Sequence, residues 1–264
     1  MKNFNQRLSK YILSCLLFLG LSLGFASPTA ANSVKSVPFN LSNGAVNVAT
    51  IYDTSLATQK AVVKSIKSSK ALLKKALGFE GLSVLKSEDG TKVIFLSQWQ
   101  DLASFQAYNT QPTATSDKSS QSSDTTAPPR IVVFEIVKTQ ARQGATPALR
   151  GKEAVVQLSE FTLKNPADQQ QAIANIERMM PGILQKQPTP QSVILLRSIN
   201  NTEVALLANW NCSADFEDIG QPAAFEPPNA ELIALADNEQ HRYDVVQLMA
   251  VKVKQPTDSK EFQD

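Results

Sequence analysis

Catalytic side chains are scarce in this sequence: of 264 residues, one is His and two are Cys. Any Ser/His/Asp set would have to rely on His241, no His/Cys cluster has metal-ligand spacing, and no glycine-rich phosphate loop appears. Cys212 stands near Trp210, but with a single His in the chain it reads as a small, half-buried residue rather than an activated nucleophile. His241 reads as a surface or capping residue just before a strand. What does recur is aromatic. Trp99 is followed six residues later by Phe105, and Trp210 six residues later by Phe216. Such pairs anchor a core or line an apolar cavity, so the chemistry they serve is the holding of apolar or aromatic groups.

The aromatic pairs belong to a longer repeat. Leu82 to Trp99 lies over Val193 to Trp210 without a gap at an offset of 111, and Gln59 and Ile66 match Gln169 and Ile176 at a shift near 110. Each copy runs in one order. A strand (Val46 to Tyr52; Ala154 to Thr162) precedes a helical pattern, with Val62, Ile66, Leu73 and Leu77 on one face in the first copy and Ile173, Ile176 and Met180 in the second. Asn165-Pro166 caps the second of these helices, and Pro181-Gly182 is expected to kink or end it. A hairpin follows, turning at Asp89-Gly90 and at Asn200-Asn201, which accept positive φ. A short helix carrying the Phe and a last strand (Ile131 to Lys138; Tyr243 to Lys252) complete β-α-β-β-α-β, the ferredoxin-like order. The Lys-rich face of the first helix reads as solvated surface.

Composition bounds the class. Hydrophobic residues are 42% and charged residues 19%, and the mean hydropathy of −0.17 excludes a polytopic membrane protein. The net charge is +2, but Lys2, Arg7 and Lys10 lie in the first 31 residues, which hold no acid, so the remainder carries −1. Nucleic acid is therefore not an expected partner. Those cations, the apolar run Tyr11 to Ala26 and the small residues ending at Ala31 read as a cleavable signal, with Cys15 inside it. The expected product is secreted or periplasmic, with no membrane contact after cleavage and Cys212 as its one thiol. The expected divisions are 1–31 signal, 32–44 flexible segment, 45–139 first repeat, 140–152 connector, 153–254 second repeat and 255–264 tail. A Ser/Thr/Pro tract over 110–129 is a disordered insertion in the first repeat. Phe225, Leu232, Ile233 and Leu235 in the matching place of the second suit a packed lid or short helix.

Each copy resembles the antibiotic biosynthesis monooxygenase domain of the dimeric α/β-barrel superfamily. The resemblance rests on the Ser87-Glu88-Asp89-Gly90 hairpin, the strand ending in Trp99 and Phe105-Gln106-Ala107-Tyr108; the second copy keeps Trp210 and Phe216. It implies an α+β fold in which tandem ferredoxin-like repeats form a pseudo-dimeric α/β barrel, and hence a monomer. It also implies a cofactor-independent monooxygenase acting on a small apolar, aromatic or quinone-like compound. Asn47 and Tyr108 are then the candidate catalytic groups, and Tyr52, Trp99, Asn209 and Trp210 the candidate binding groups. The haem-degrading branch places an Asn where Ala49 and Ser159 stand, a Trp where Tyr108 and Ile219 stand, and a His on the following helix. None is met, so no cofactor and no metal are expected. The alternatives are a non-catalytic small-molecule-binding barrel, in which the Trp and Phe residues are core anchors, and a structural or interaction protein of the cell envelope.

Overall fold

Both hairpins form at the turns the sequence marks. Gly90 (φ 81°) and Asn201 (φ 60°) adopt the left-handed backbone that a tight hairpin requires. Asp89 Oδ1 accepts from Thr91 N and Oγ1 at 3.0 and 2.7 Å, and Asn200 Oδ1 from Thr202 N and Oγ1 at 3.3 and 2.8 Å. The computed structural model describes residues 36–39, 41, 44–68, 70–110, 127–151, 154–185, 189–210 and 229–251. The signal 1–31, the tract 111–126, Cys212, Phe216, Phe225 and the tail 255–264 lie outside the described residues.

The first repeat comprises β2 (Val46–Asp53), α1 (Gln59–Ser68), α2 (Lys70–Leu73), β3 (Phe79–Ser87), β4 (Lys92–Trp99), α3 (Leu102–Asn109) and β5 (Arg130–Ala141). The second comprises β7 (Val155–Leu163), α4 (Gln169–Ile183), β8 (Ser192–Ser198), β9 (Glu203–Trp210), α5 (Ala230–Leu235) and β10 (Ala236–Ala250). The repetition reaches individual hydrogen bonds. Gln59 Nε2, at the start of α1, donates to the carbonyls of Ser87 and Lys92 at 2.8 and 3.2 Å. Gln169 Nε2, at the start of α4, donates to those of Ser198 and Glu203 at 2.9 and 3.1 Å. The matched glutamines clamp each helix to its own hairpin.

The eight strands close into an antiparallel barrel in the order β10-β3-β4-β2-β5-β8-β9-β7. Each repeat contributes its four strands in one ferredoxin-like order, and the repeats join where β5 pairs with β8 and β10 with β3. The molecule is thus a pseudo-dimeric α/β barrel. The physical reason is plain: helices bury only one face of each four-stranded sheet, and the other face must find a second sheet. Inside, Ile51, Leu85, Ile94, Phe134, Leu158 and Ile194 meet in a single core. Outside, α1 to α3 cover one sheet around Trp99, and α4 and α5 the other around Trp210.

Where Pro181-Gly182 is expected to kink or end the helix, α4 ends at Ile183, one residue past Gly182. Three local features differ from the sequence reading. Leu77 is 89% exposed rather than sharing the face of Val62, Ile66 and Leu73, because the helix stops at Leu73 and Gly78 (φ 73°) turns the chain into β3. The segment expected to be flexible over 32–44 contains β1 (Ser36–Pro38), which pairs with β6 (Ala148–Arg150) of the connector. β10 begins at Ala236, so His241 lies inside the strand rather than before it.

Candidate functional site

The barrel has two unlike ends. At one, the hairpin turns gather charged side chains. At the other, the β1-β6 ribbon lies over the opening and sends Phe39 and Leu149 into the interior core. Asn47, opposite Gln98 in the β2-β4 ladder, faces inward at this ribbon end and is 2% exposed. Gln98 Nε2 donates to Asn47 Oδ1 at 3.3 Å and to the Pro38 carbonyl at 3.0 Å, which fixes both amides. A Cβ at Gly81 would stand 3.2 Å from Gln98 Oε1 and 3.1 Å from Met249 O, a tight fit that would press on that amide. The ladder shifts register between Phe79 and Gly81, and this bulge turns Glu80 to the rim. Here a pocket of about 100 Å³ opens, lined by Asn47, Glu80, Gln98, Trp99, Ile136 and Val251 among others. Burial raises the Glu80 carboxyl above the ordinary value, favouring its proton-holding form.

The six residues singled out in the sequence do not converge on one point. Asn47 and Trp99 meet at this pocket. Tyr108 reaches Trp99 from the helix side, with ring centroids 5.2 Å apart. Phe79 and Phe105 also pack edge-on against Trp99, at 5.4 and 5.8 Å, and its indole N–H donates to Ser97 Oγ at 2.9 Å. Such ring pairs contribute about 0.5–1.5 kcal/mol each beyond burial, so Trp99 anchors the layer between sheet and helices as well as closing the pocket. Tyr52 packs in this same layer, where burial raises its hydroxyl pKa. Trp210 anchors the equivalent layer of the second repeat. Asn209 faces the barrel interior at the ribbon end, fully buried, and neither amide atom finds a hydrogen-bond partner among the described residues. The neighbouring Ser192 hydroxyl is in the same state. Between the ends the interior is nearly full: a cavity of about 20 Å³, walled by Ile51, Leu85, Phe134 and Glu160 among others, is space for about one water.

Glu80 and Gln98 were not among the sequence candidates. Gln98 adjoins Trp99 and falls on the inward face by strand alternation, a signal that was legible; the bulge that aims Glu80 was not. At the turn end His241 Nδ1 and Nε2 lie 2.8 Å from Asp89 and 2.7 Å from Glu239. The buried Tyr243 hydroxyl finds no partner among the described residues. Its own burial, and then the charges of Glu160, Glu239 and Asp89, push its pKa far up, so it remains a neutral phenol.

Comparison with known proteins agrees with this architecture. Residues 48–115 match the family model for antibiotic biosynthesis monooxygenase. The structure of an anthrone oxidase-like protein is similar to this chain with a TM-score of 0.64 at 14% identity, covering 83% of this chain and 98% of that one. A candidate monooxygenase from Fusobacterium nucleatum subsp. nucleatum gives 0.56 at 8% identity, covering 78% and 94%. A candidate monooxygenase from Lactobacillus acidophilus gives 0.50 at 9%, covering 78% and 96%. Among curated proteins, none matches the sequence. Residues 48–115 are thus similar to the antibiotic biosynthesis monooxygenase domain, and they lie within a two-repeat barrel whose fold resembles that of these solved structures.

Proposed function

We propose that the protein takes a one-ring aromatic or quinone-like molecule into the ribbon-end pocket and oxygenates it without a cofactor. The observation that carries this reading is the meeting of an indole, two amides and a carboxylate whose proton affinity is raised by burial, Trp99, Asn47, Gln98 and Glu80, around one pocket. About 100 Å³ suits a single ring; drug-sized ligands occupy roughly 300–1,000 Å³. Glu80 accepts the proton of a ring hydroxyl, and the electron pair stays on the substrate oxygen. Asn47 Oδ1 is engaged by Gln98, which leaves its amide N–H groups to donate to that oxyanion. The anion gives an electron to O₂, the two radicals join at a ring carbon, Glu80 returns its proton to the peroxide, and loss of water with the ring C–H proton leaves a quinone; one oxygen atom enters the ring and the other leaves as water. Tyr108, behind Trp99, positions the indole.

The same reading takes the protein as exported, on the basic and apolar residues 1–31, with a small apolar or aromatic molecule as its partner and no nucleic acid. A monomer is favoured because each of the eight described barrel strands is paired on both sides, leaving the barrel itself no free edge for another copy.

A second reading, binding without chemistry, is favoured by Phe105: it offers no hydroxyl where it packs against Trp99. Oxygen uptake with one-ring phenols and quinols, followed beside a tryptophan-fluorescence titration, separates the two. Turnover that falls by roughly 100-fold or more in Glu80→Gln, with binding retained, supports the oxygenase. Binding with no oxygen uptake in the unaltered protein leaves a binder, and neither signal removes both readings.

A further inference from the structure

The turn end of the barrel carries a pattern that neither reading uses. The strand registers define which residues of the two repeats are equivalent. Lys92 and Glu203 each open the second hairpin strand, facing Asp53 and Thr162 respectively. Arg130 faces Ile51, and Glu239 faces Glu160. At two equivalent positions the first repeat therefore presents Lys92 and Arg130 where the second presents Glu203 and Glu239. At a third, Ile51 is answered by Glu160. The opposite charges meet across the barrel. Lys92 Nζ lies 2.6 Å from Glu239 and 3.9 Å from Glu160, and Arg130 lies 2.8 Å from Glu160 and 2.6 Å from Glu203. The side chains of Lys92, Glu160 and Glu203 are only 10, 7 and 11% exposed, so their charges are weakly screened. Outside this group, Lys86–Asp244, Glu135–Arg197 and Glu88–Arg242 also join one repeat to the other.

We propose that the turn-end faces of the two repeats are charge-coded for each other, so that the first repeat docks on the second and rejects a copy of itself. Two first repeats would bring two Lys92 and two Arg130 together with no carboxylate from Glu160, Glu203 or Glu239. Two second repeats would gather six of those carboxylates with no Lys92 or Arg130. Like charges brought together in a half-buried site cost several kcal/mol, whereas the unlike pairing satisfies every one of these groups. The proposal stands on the ion-pair pattern alone and is independent of what the pocket binds.

Charge exchange in the full chain tests it. Lys92→Glu/Arg130→Glu makes both faces acidic, and Glu203→Lys/Glu239→Arg leaves Glu160 facing four cations. Each double variant is expected to lose roughly 10 °C or more in Tm. The fourfold variant exchanges the signs at the two equivalent positions and leaves Glu160 in place; it is expected to melt above both double variants and to remain monomeric by light scattering. The readout is the coupling, so it survives even if a double variant does not fold. The proposal is overturned if the Lys92→Glu/Arg130→Glu variant keeps the parent's Tm and mass, or if the fourfold variant melts no higher than either double.

Discussion

Asn209 is buried with both amide atoms unpartnered among the described residues, beside an equally unpartnered Ser192 hydroxyl. A buried polar group without a partner costs about 1–3 kcal/mol, and leucine has the same branched side-chain outline. Asn209→Leu is therefore expected to raise stability by about 1–3 kcal/mol, read as a higher urea midpoint at unchanged m. A lower midpoint would mean that a water or ligand completes the amide. In the first repeat the corresponding Gln98 is bonded to Asn47 and Pro38, which is why the pocket stands on that side with its polar groups already oriented. At this scale the sequence was partly legible. Asn47 stood out by type, and Trp99 by type and by repetition. Glu80 did not, because a bulge, which depends on pairing with a distant strand, decides where its side chain points.

Among the elements, the β1-β6 ribbon departs furthest from the sequence reading. Three residues from a segment read as flexible pair with three from a segment read as connector, and neither has the length or alternation that marks a strand. Yet Leu149 is fully buried in the barrel core, and Pro38 holds Gln98 through its carbonyl. Leu149→Ala removes that apolar plug. The expected loss is about 2–5 kcal/mol, seen in urea unfolding, together with altered affinity for whatever one-ring compound the pocket accepts. By contrast, α1 and α4, both hairpins and the long strands were readable. Their apolar spacing, caps and turn residues act within a few neighbours, so local pattern suffices for them.

Across the whole molecule, ion pairs concentrate on the seam between repeats, and acid should loosen it. Burial alone would raise the Asp89 carboxyl, but hydrogen bonds from Thr91, Ser87 and His241 outweigh it and hold the group well below the usual range. Burial likewise opposes ionisation of Glu239, and Lys92 and His241 overcome it. A carboxylate whose pKa is lower folded than unfolded contributes stability that is fully present above its unfolded value, about 4, and lost as pH falls through the folded one. Tm is thus expected to decline below about pH 4, and Glu239→Gln to flatten that decline. Calorimetry from pH 7 to 3 checks both.

The sequence by itself determined the repeat, the order of elements within it, the hairpin turns and the aromatic anchors, because each is written in residue type at short spacing. Only the tertiary structure decided that the two sheets close on a nearly full interior, that the six candidate residues divide between the ribbon end of the barrel and the helix layers, and that Lys92 and Arg130 answer Glu160, Glu203 and Glu239. Those outcomes depend on which strand lies beside which, and on the register between residues tens to well over a hundred positions apart. No local pattern carries that information.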